Sequence, residues 1–371
     1  MADYSDSVDA GMENPYNVTP EMERLGPPQD VPYASESMFF QAWDPDQGIG
    51  LWAHLNLTTE DNQLFVGELV IYLPDGEVLV DRSAGRAPDD LGPSSGNLTF
   101  RLEEPLQRWH VSFDGTAERT TSEALANSPG GAGRAEPIGI DLVFTAKSPV
   151  YDMYTALGKE GMAWGQIHHE QALSATGSMC FGGVDHPFTG YGYRDHGRGT
   201  RNLAPLGGDT MVFGVFPDGR AIGSLMAWTR DGTVVVEAGF LYDDRGYSTL
   251  KIDELPHLDD RFGNPADVTA RFIDAWGERM EIRCTGLHQA TLTMDDPNHW
   301  VIGYDPRLDD PLIMVETPSQ LQWGSAVGYG NVERNCRRSQ LGVVRSPAKK
   351  GSDGGGKADE EMAHRMGSIG E

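Results

Sequence analysis

WGQIHHEQALSATGSMCFGGVDHPFTGYGYRDHGRGTRN, residues Trp164–Asn202, is the stretch from which the fold is read. Ser174–Phe181 and Phe188–His196 are β-type runs on either side of a turn across Gly182–His186, and together they predict a hairpin. If Trp164–Leu173 is also a strand, the two-residue period sets Trp164, Gln166, His168 and Glu170 on one face and His169 and Gln171 on the other. On the outgoing strand Thr189, Tyr191, Tyr193 and Asp195 share a face, while Phe188, Gly190, Gly192, Arg194 and His196 share the opposite one. Asp195 and His196 therefore look in opposite directions unless the strand bulges, which Gly197 and Gly199 would permit.

Outward from this hairpin the chain keeps the same style. Apolar runs alternate with turn signals at Pro74-Asp75-Gly76, Asp114-Gly115, Pro217-Asp218-Gly219 and Asp231-Gly232. The candidate helices, Ser122–Ala126 and Pro265–Ile273, are short, and the second suits a strand equally well. With 46 Gly and 23 Pro beside 12 Tyr, 13 Phe and 8 Trp, the composition suits many short strands. The expected class is all-β and mainly antiparallel. A weak internal echo, Phe65-Val66-Gly67 before Pro74-Asp75-Gly76 and Val212-Phe213-Gly214 before Pro217-Asp218-Gly219, fits two β-rich halves. The expected division is a flexible tail over 1–28, domains over 29–172 and 173–346, and a disordered tail over 347–371.

A formal net charge of −27 argues against nucleic acid and anionic membrane surfaces, which need clustered Lys and Arg. Cys180, Cys284 and Cys336 are too few and too far apart for a disulfide framework, which suggests a reducing, cytoplasmic setting. The N-terminal residues lack the basic-then-apolar pattern of a secretory signal, and no apolar stretch approaches the ~18 residues that span a bilayer. The expected partner is a small hydrophobic molecule.

Three chemistries fit the Trp164–Asn202 segment. Asp195 beside Tyr191 and Tyr193 could be a general acid kept protonated by an apolar pocket. His168, His169, Glu170, Asp185, His186 and His196 could supply metal ligands, but adjacent strand residues point apart and no His-x-His pair is present, so neither metal nor other cofactor is expected. Alternatively Asp195, paired to Arg198 or Arg201, forms a polar latch between the two halves, which would lower its pKa and make it a poor acid.

The run His168-His169-Glu170-Gln171, followed by Gly190-Tyr191-Gly192-Tyr193-Arg194-Asp195-His196-Gly197-Arg198-Gly199-Thr200-Arg201, resembles the lipocalin-related family of carotenoid 1,2-hydratase-like and AttH-like proteins. Trp323–Glu333, with Gly328-Tyr329-Gly330 before the acid, resembles that family's closing segment. The resemblance departs at Gly197-Arg198, where relatives carry Ser-Trp. It implies two lipocalin-like β-barrels packed together over about Val31–Ser346, with a cavity for a terpenoid, steroid or similar lipid. It further implies hydration or isomerisation of an alkene, with Asp195 as donor and His196, Glu170 and His168 orienting or deprotonating water. Trp164, Tyr191, Tyr193, Arg198, Arg201, Trp323 and Tyr329 would then line the substrate. A lipid carrier and a pericyclase are alternative uses of such a cavity.

The remaining candidates look structural. Trp43, Trp52, Trp109, Trp228, Trp276 and Trp300 suit core or barrel lining, and His54 and His110 suit edge or surface positions. Glu333 beside Arg334, Arg337 and Arg338 suits a solvated charge run. There is neither a Gly-x-Ser-x-Gly elbow nor a phosphate-binding Gly-rich loop, so serine acyl transfer and phosphoryl transfer are not expected.

Overall fold

The structure, a computed structural model, describes residues 15–157, 167–295 and 299–343. The first sheet comprises β1 (Ala34–Asp44), β2 (Ile49–Leu57), β3 (Phe65–Tyr72), β4 (Glu77–Gly85), β5 (Leu98–Glu104), β6 (Arg108–Thr121), β7 (Arg134–Ala146), β8 (Tyr151–Asp152), β9 (Ile167–Phe181) and β10 (Val184–Thr200). Its order is β10-β1-β2-β3-β4-β6-β7-β9, and β9 pairs back onto β10. Eight antiparallel strands thus close into a barrel, with β5 added at β6 and β8 at β9.

The second sheet comprises β11 (Leu206–Val215), β12 (Ala221–Thr229), β13 (Val234–Asp243), β14 (Gly246–Thr249), β15 (Lys251–Glu254), β16 (Val268–Ile273), β17 (Arg279–Gly286), β18 (Ala290–Asp295), β19 (His299–Ile302), β20 (Leu312–Trp323) and β21 (Ala326–Arg337). β14 pairs with β13 and β15 with β16, and only Leu250 separates the two. This near-continuous segment brings the ends of the sheet together, so the second unit is also barrel-like. Barrel closure leaves few unpaired strand edges, which explains how so β-rich a chain avoids exposing them.

Three apolar clusters follow from strand alternation. One fills the first barrel around Phe40, Phe100, Trp109 and Phe144, and another fills the second around Val212, Phe272, Ile282 and Val315. The third lies between the barrels and joins Phe39, Trp52 and Tyr193 to Phe213, Leu225 and Met314.

The sheets correct several expectations. The chain changes sheet between Thr200 and Leu206, whereas the division expected at 172/173 falls inside β9. The physical reason is that the β9–β10 hairpin closes the first barrel, β10 pairing with β1 over Ala34–Trp43, so the whole motif belongs to that barrel. Its turn is only Gly182-Gly183, both at positive φ (59° and 74°), where Gly carries no steric penalty. Asp114-Gly115 makes no turn and lies within β6. Of the two helix candidates the first forms, as α1 (Ser122–Asn127) capped by Thr121 Oγ1, and the second contains strand β16.

The segment expected as a flexible N-terminal tail is also partly built into the fold. A 3-10 turn at Pro20–Glu23 inserts Glu23 into the polar end of the first barrel, fully buried. There Glu23 accepts a 2.6 Å bond from Arg194 Nη2, and Arg194 Nε donates to Gln171 Oε1. Glu36 meets His196 Nε2 at 3.0 Å and Arg198 Nη2 at 2.7 Å. Burial pushes the Glu23 carboxyl up, but Arg194, with His169 and His196, outweighs it and brings the carboxyl down to about 2. Because this folded value lies below the unfolded one, the stabilisation is full above the ordinary glutamate range and is lost as pH falls toward 2. Glu23→Gln strands a buried guanidinium and should cost about 3–5 kcal/mol at pH 7. Urea midpoints of the variant and the parent should differ at pH 7 and draw together only as pH falls to about 2.

Candidate functional site

A partly open cavity of about 130 Å³ lies between the barrels, close to the ~150 Å³ that suffices for benzene in an engineered apolar site. The first barrel contributes Ser37 and Phe39 from β1, Trp52 and His54 from β2, His168 from β9 and Asp195 from β10. The second supplies an apolar floor of Met211, Leu225, Met294 and Met314, and a polar edge of Asp209, Glu316, Glu333 and Asn335. Each barrel thus offers the cavity its outward face, while its inward face is committed to its own core.

On the first wall, alternation along β9 and β10 proceeds without a bulge. His168, Glu170, Tyr193 and Asp195 face the second barrel, and His169, Gln171, Arg194 and His196 face the first barrel's interior. His168 Nε2 lies 3.3 Å from both Asp195 Oδ2 and Glu170 Oε1. Tyr193 donates its hydroxyl to Glu170 Oε2 at 2.5 Å and stacks on Phe213 with ring centroids 4.1 Å apart. Burial disfavours a charged His168, yet Glu170 and Asp195 together raise its pKa, so the ring lies between two carboxylates that favour its protonated form.

The second wall concentrates acid. Glu316 and Glu333 are directly opposed across β20 and β21, and Asp209 opposes Asn335 across β11 and β21. Asn335 Nδ2 donates to Asp209 Oδ1 at 2.8 Å and to Glu333 Oε1 at 2.5 Å, and Asn331 Nδ2 donates to Glu316 Oε2 at 2.6 Å. Burial pushes all three carboxyls up, Asp209 to about 7 and Glu316 to about 8. Glu333 is raised well above its ordinary value by burial and by the charges of Glu316 and Asp209. Like charges so placed cannot all ionise, and the cluster carries protons at neutral pH.

The sequence profile of a domain of unknown function (DUF7064) matches residues 19–335. The chain belongs to the DUF7064 family. The crystal structure of an AttH-like protein from Nitrosomonas europaea is similar to the DUF7064 chain at a TM-score of 0.56 and 16% identity, covering 81% of this chain and 92% of that one. Kievitone hydratase from Nectria haematococca gives 0.49 and 13%, covering 81% and 88%. CghA with Sch210972 gives 0.49 and 11%, covering 82% and 89%. No curated protein matches. The AttH-like structure agrees with the fold expected from the Gly190–Arg201 motif, that of a two-barrel lipocalin-related protein.

Of the residues singled out in the sequence, Asp195, His168 and Arg201 line the cavity, with Glu170 and Tyr193 immediately behind. A Cβ at Gly197 would come within 2.6 Å of Arg201 Nη2, so the glycine that departs from the family pattern gives Arg201 its place. His196 and Arg198 turn into the first barrel and bind Glu36 there. Tyr191 and Tyr329 stack at 5.3 Å beside a different groove, where Tyr191 and Val215 form part of the wall. Trp323 lies under Arg220, whose Cζ is 4.2 Å from the ring, against the second barrel's core. Trp164 lies outside the described residues.

Sequence reasoning missed Asp209 and Glu316, took Glu333 for a solvated charge and placed the buried His54 at an edge or surface. The available signal was alternation on β21, which sets Asn331, Glu333 and Asn335 on the face opposite Val332, Arg334 and Cys336. The raised carboxyls also set a sign for stability. The folded protein keeps protons that the unfolded chain has already released above the ordinary carboxylate range, so stability declines as pH rises from there toward 7–8. Glu316→Gln should therefore raise the melting midpoint at pH 8, by about 2–4 °C per kcal/mol relieved, and change it little at pH 5. Differential scanning fluorimetry at the two pH values checks this.

Proposed function

We propose that this protein is an enzyme that delivers a proton to a carbon–carbon double bond of a small apolar molecule, giving hydration or isomerisation. The observation that carries this proposal is the set of three carboxyls, Asp209, Glu316 and Glu333, which burial biases toward the protonated form, on the wall of a cavity whose apolar lining includes Phe39, Trp52 and methionines. A carboxylic acid in apolar surroundings is a stronger donor than water and remains loaded at neutral pH. Protonation of a substituted alkene leaves a tertiary cation, which the ring faces of Trp52, Trp300 and Phe39 would stabilise.

The opposite wall completes the chemistry. Asp195, 3.3 Å from His168 Nε2, is placed to accept a proton from the cation or from water that captures it. In this assignment Asp195 acts as the acceptor, and donation belongs to the cluster around Glu333. The cavity volume suits one prenyl unit or one ring, so a longer terpenoid would place only its reacting end inside.

Turnover in D2O with a panel of prenylated phenols and short terpenoid alkenes tests the proposal. Product carrying deuterium at carbon is expected in D2O, and in a parallel reaction hydration adds about 20 mass units from H2(18)O where ordinary water adds about 18. Glu333→Gln should lower the rate by about 10²–10⁴-fold while ligand binding persists. Recovery of every bound ligand unchanged, or of rearranged product without deuterium, would sink the idea in favour of a carrier or a pericyclase.

A further inference from the structure

Ser37, His54 and Glu68 stand on the neighbouring strands β1, β2 and β3. Ser37 Oγ lies 3.1 Å from His54 Nε2, and His54 Nδ1 lies 3.1 Å from Glu68 Oε2. A ring that donates from Nδ1 to the carboxylate leaves Nε2 free to take the serine proton. This is the order of nucleophile, base and orienting acid that acyl transfer requires. All three are buried, yet Ser37 and His54 line the cavity. The imidazole is fixed between Trp52, stacked at 5.7 Å, and Trp300 at 4.6 Å, while Arg82 Nε lies 3.7 Å from Glu68 Oε1. Such a relay is recognised by geometry and not by local sequence, so the missing Gly-x-Ser-x-Gly elbow does not bear on it.

We propose that Ser37 is a nucleophile for the acyl group of a small apolar ester or lactone, a second activity of the same cavity. The Ser37 hydroxyl proton passes to His54 Nε2 as Oγ bonds to the carbonyl carbon. His54 then returns that proton to the leaving oxygen as the C–O bond breaks, leaving an acyl-serine. Water, deprotonated by His54, attacks the acyl carbon, and the proton returns to Ser37 as the carboxylic acid departs. Ser37 sits within a strand paired on both sides, so no backbone elbow surrounds it. The O–H groups of the protonated Glu316 and Glu333, which share the cavity, are the donors available to a developing oxyanion.

The activity needs the cavity to admit substrate but does not depend on proton delivery to an alkene, and the test reads Ser37 directly. The full-length protein is treated with diisopropyl fluorophosphate and digested for peptide mass spectrometry. One adduct is expected, on Ser37, absent from Ser37→Ala and formed about 10⁴-fold more slowly in Glu68→Gln. Should Glu68→Gln not fold, as judged by circular dichroism, Glu68→Asp provides the same comparison. No adduct on Ser37 in the folded parent overturns the proposal. So does an adduct that forms at the parent rate when Glu68 is altered.

Discussion

The two-residue period of the wall formed by β1, β9 and β10 governs everything else in this molecule. Each strand there is sandwiched between the first barrel's interior and the second barrel, so every side chain belongs to one or the other. Met38, Phe40 and Ala42 fill the first core while Ser37, Phe39 and Trp43 face the second barrel or its cavity. A one-residue slip would carry Glu36, Arg194 and His196 into the cavity and Asp195 and His168 into the barrel. The ion pairs of Glu23 with Arg194 and of Glu36 with Arg198 oppose such a slip, because they are matched only in the observed register. Glu23, His169 and His196 also approach closely enough to hold a cation. Arg194 and Arg198 already balance Glu23 and Glu36 charge for charge, so a divalent ion there would leave uncompensated positive charge.

Across the cavity the balance is reversed. The first wall holds the His168 ring between Asp195 and Glu170, and the second wall holds three acids linked through Asn335 and Asn331. An asparagine donates a hydrogen bond without neutralising charge, so these carboxyls are positioned by neutral partners, and the Arg201 charge that reaches Asp209 does not outweigh its burial. That difference separates a structural acid such as Glu23, brought down to about 2 by a guanidinium, from a proton store such as Glu316, pushed up to about 8. Burial acts on both in the same direction; the neighbour decides the outcome.

The local grammar of this chain was largely legible in its sequence. Turns at Pro74-Asp75-Gly76 and Pro217-Asp218-Gly219, the opposed directions of Asp195 and His196, and the all-β class all follow from periodicity and turn chemistry. What stayed hidden depends on pairing between strands distant in sequence. His54 meets Glu68 only because β2 and β3 lie in one register, and Asp209 meets Asn335 only because β11 pairs with β21, 126 residues on. Glu333 sits beside three arginines in what reads as a solvated run, yet Arg334 and Arg337 are buried donors to backbone carbonyls of the second barrel. The boundary expected at 172/173 went astray for a related reason: β9 and β10 belong to the first barrel because β9 pairs with β7 and β10 with the distant β1.

Cavity size narrows the chemistry further than composition can. A volume near 130 Å³ leaves no room for a long polyene to enter whole, so on the proposed reading discrimination acts on the reacting end of a substrate. The floor of methionines favours that outcome, since unbranched thioether chains repack around different apolar ends at small cost. Selectivity would then come from the polar groups at fixed positions, the acid cluster on one side and the His168 and His54 imidazoles on the other. Each of these groups is held by a sheet strand and not by a loop, which fixes its place in its own wall. On the proposed reading, a substrate end that reaches between them meets a proton donor and a proton acceptor together, which is the condition for moving a double bond without releasing a free cation to water.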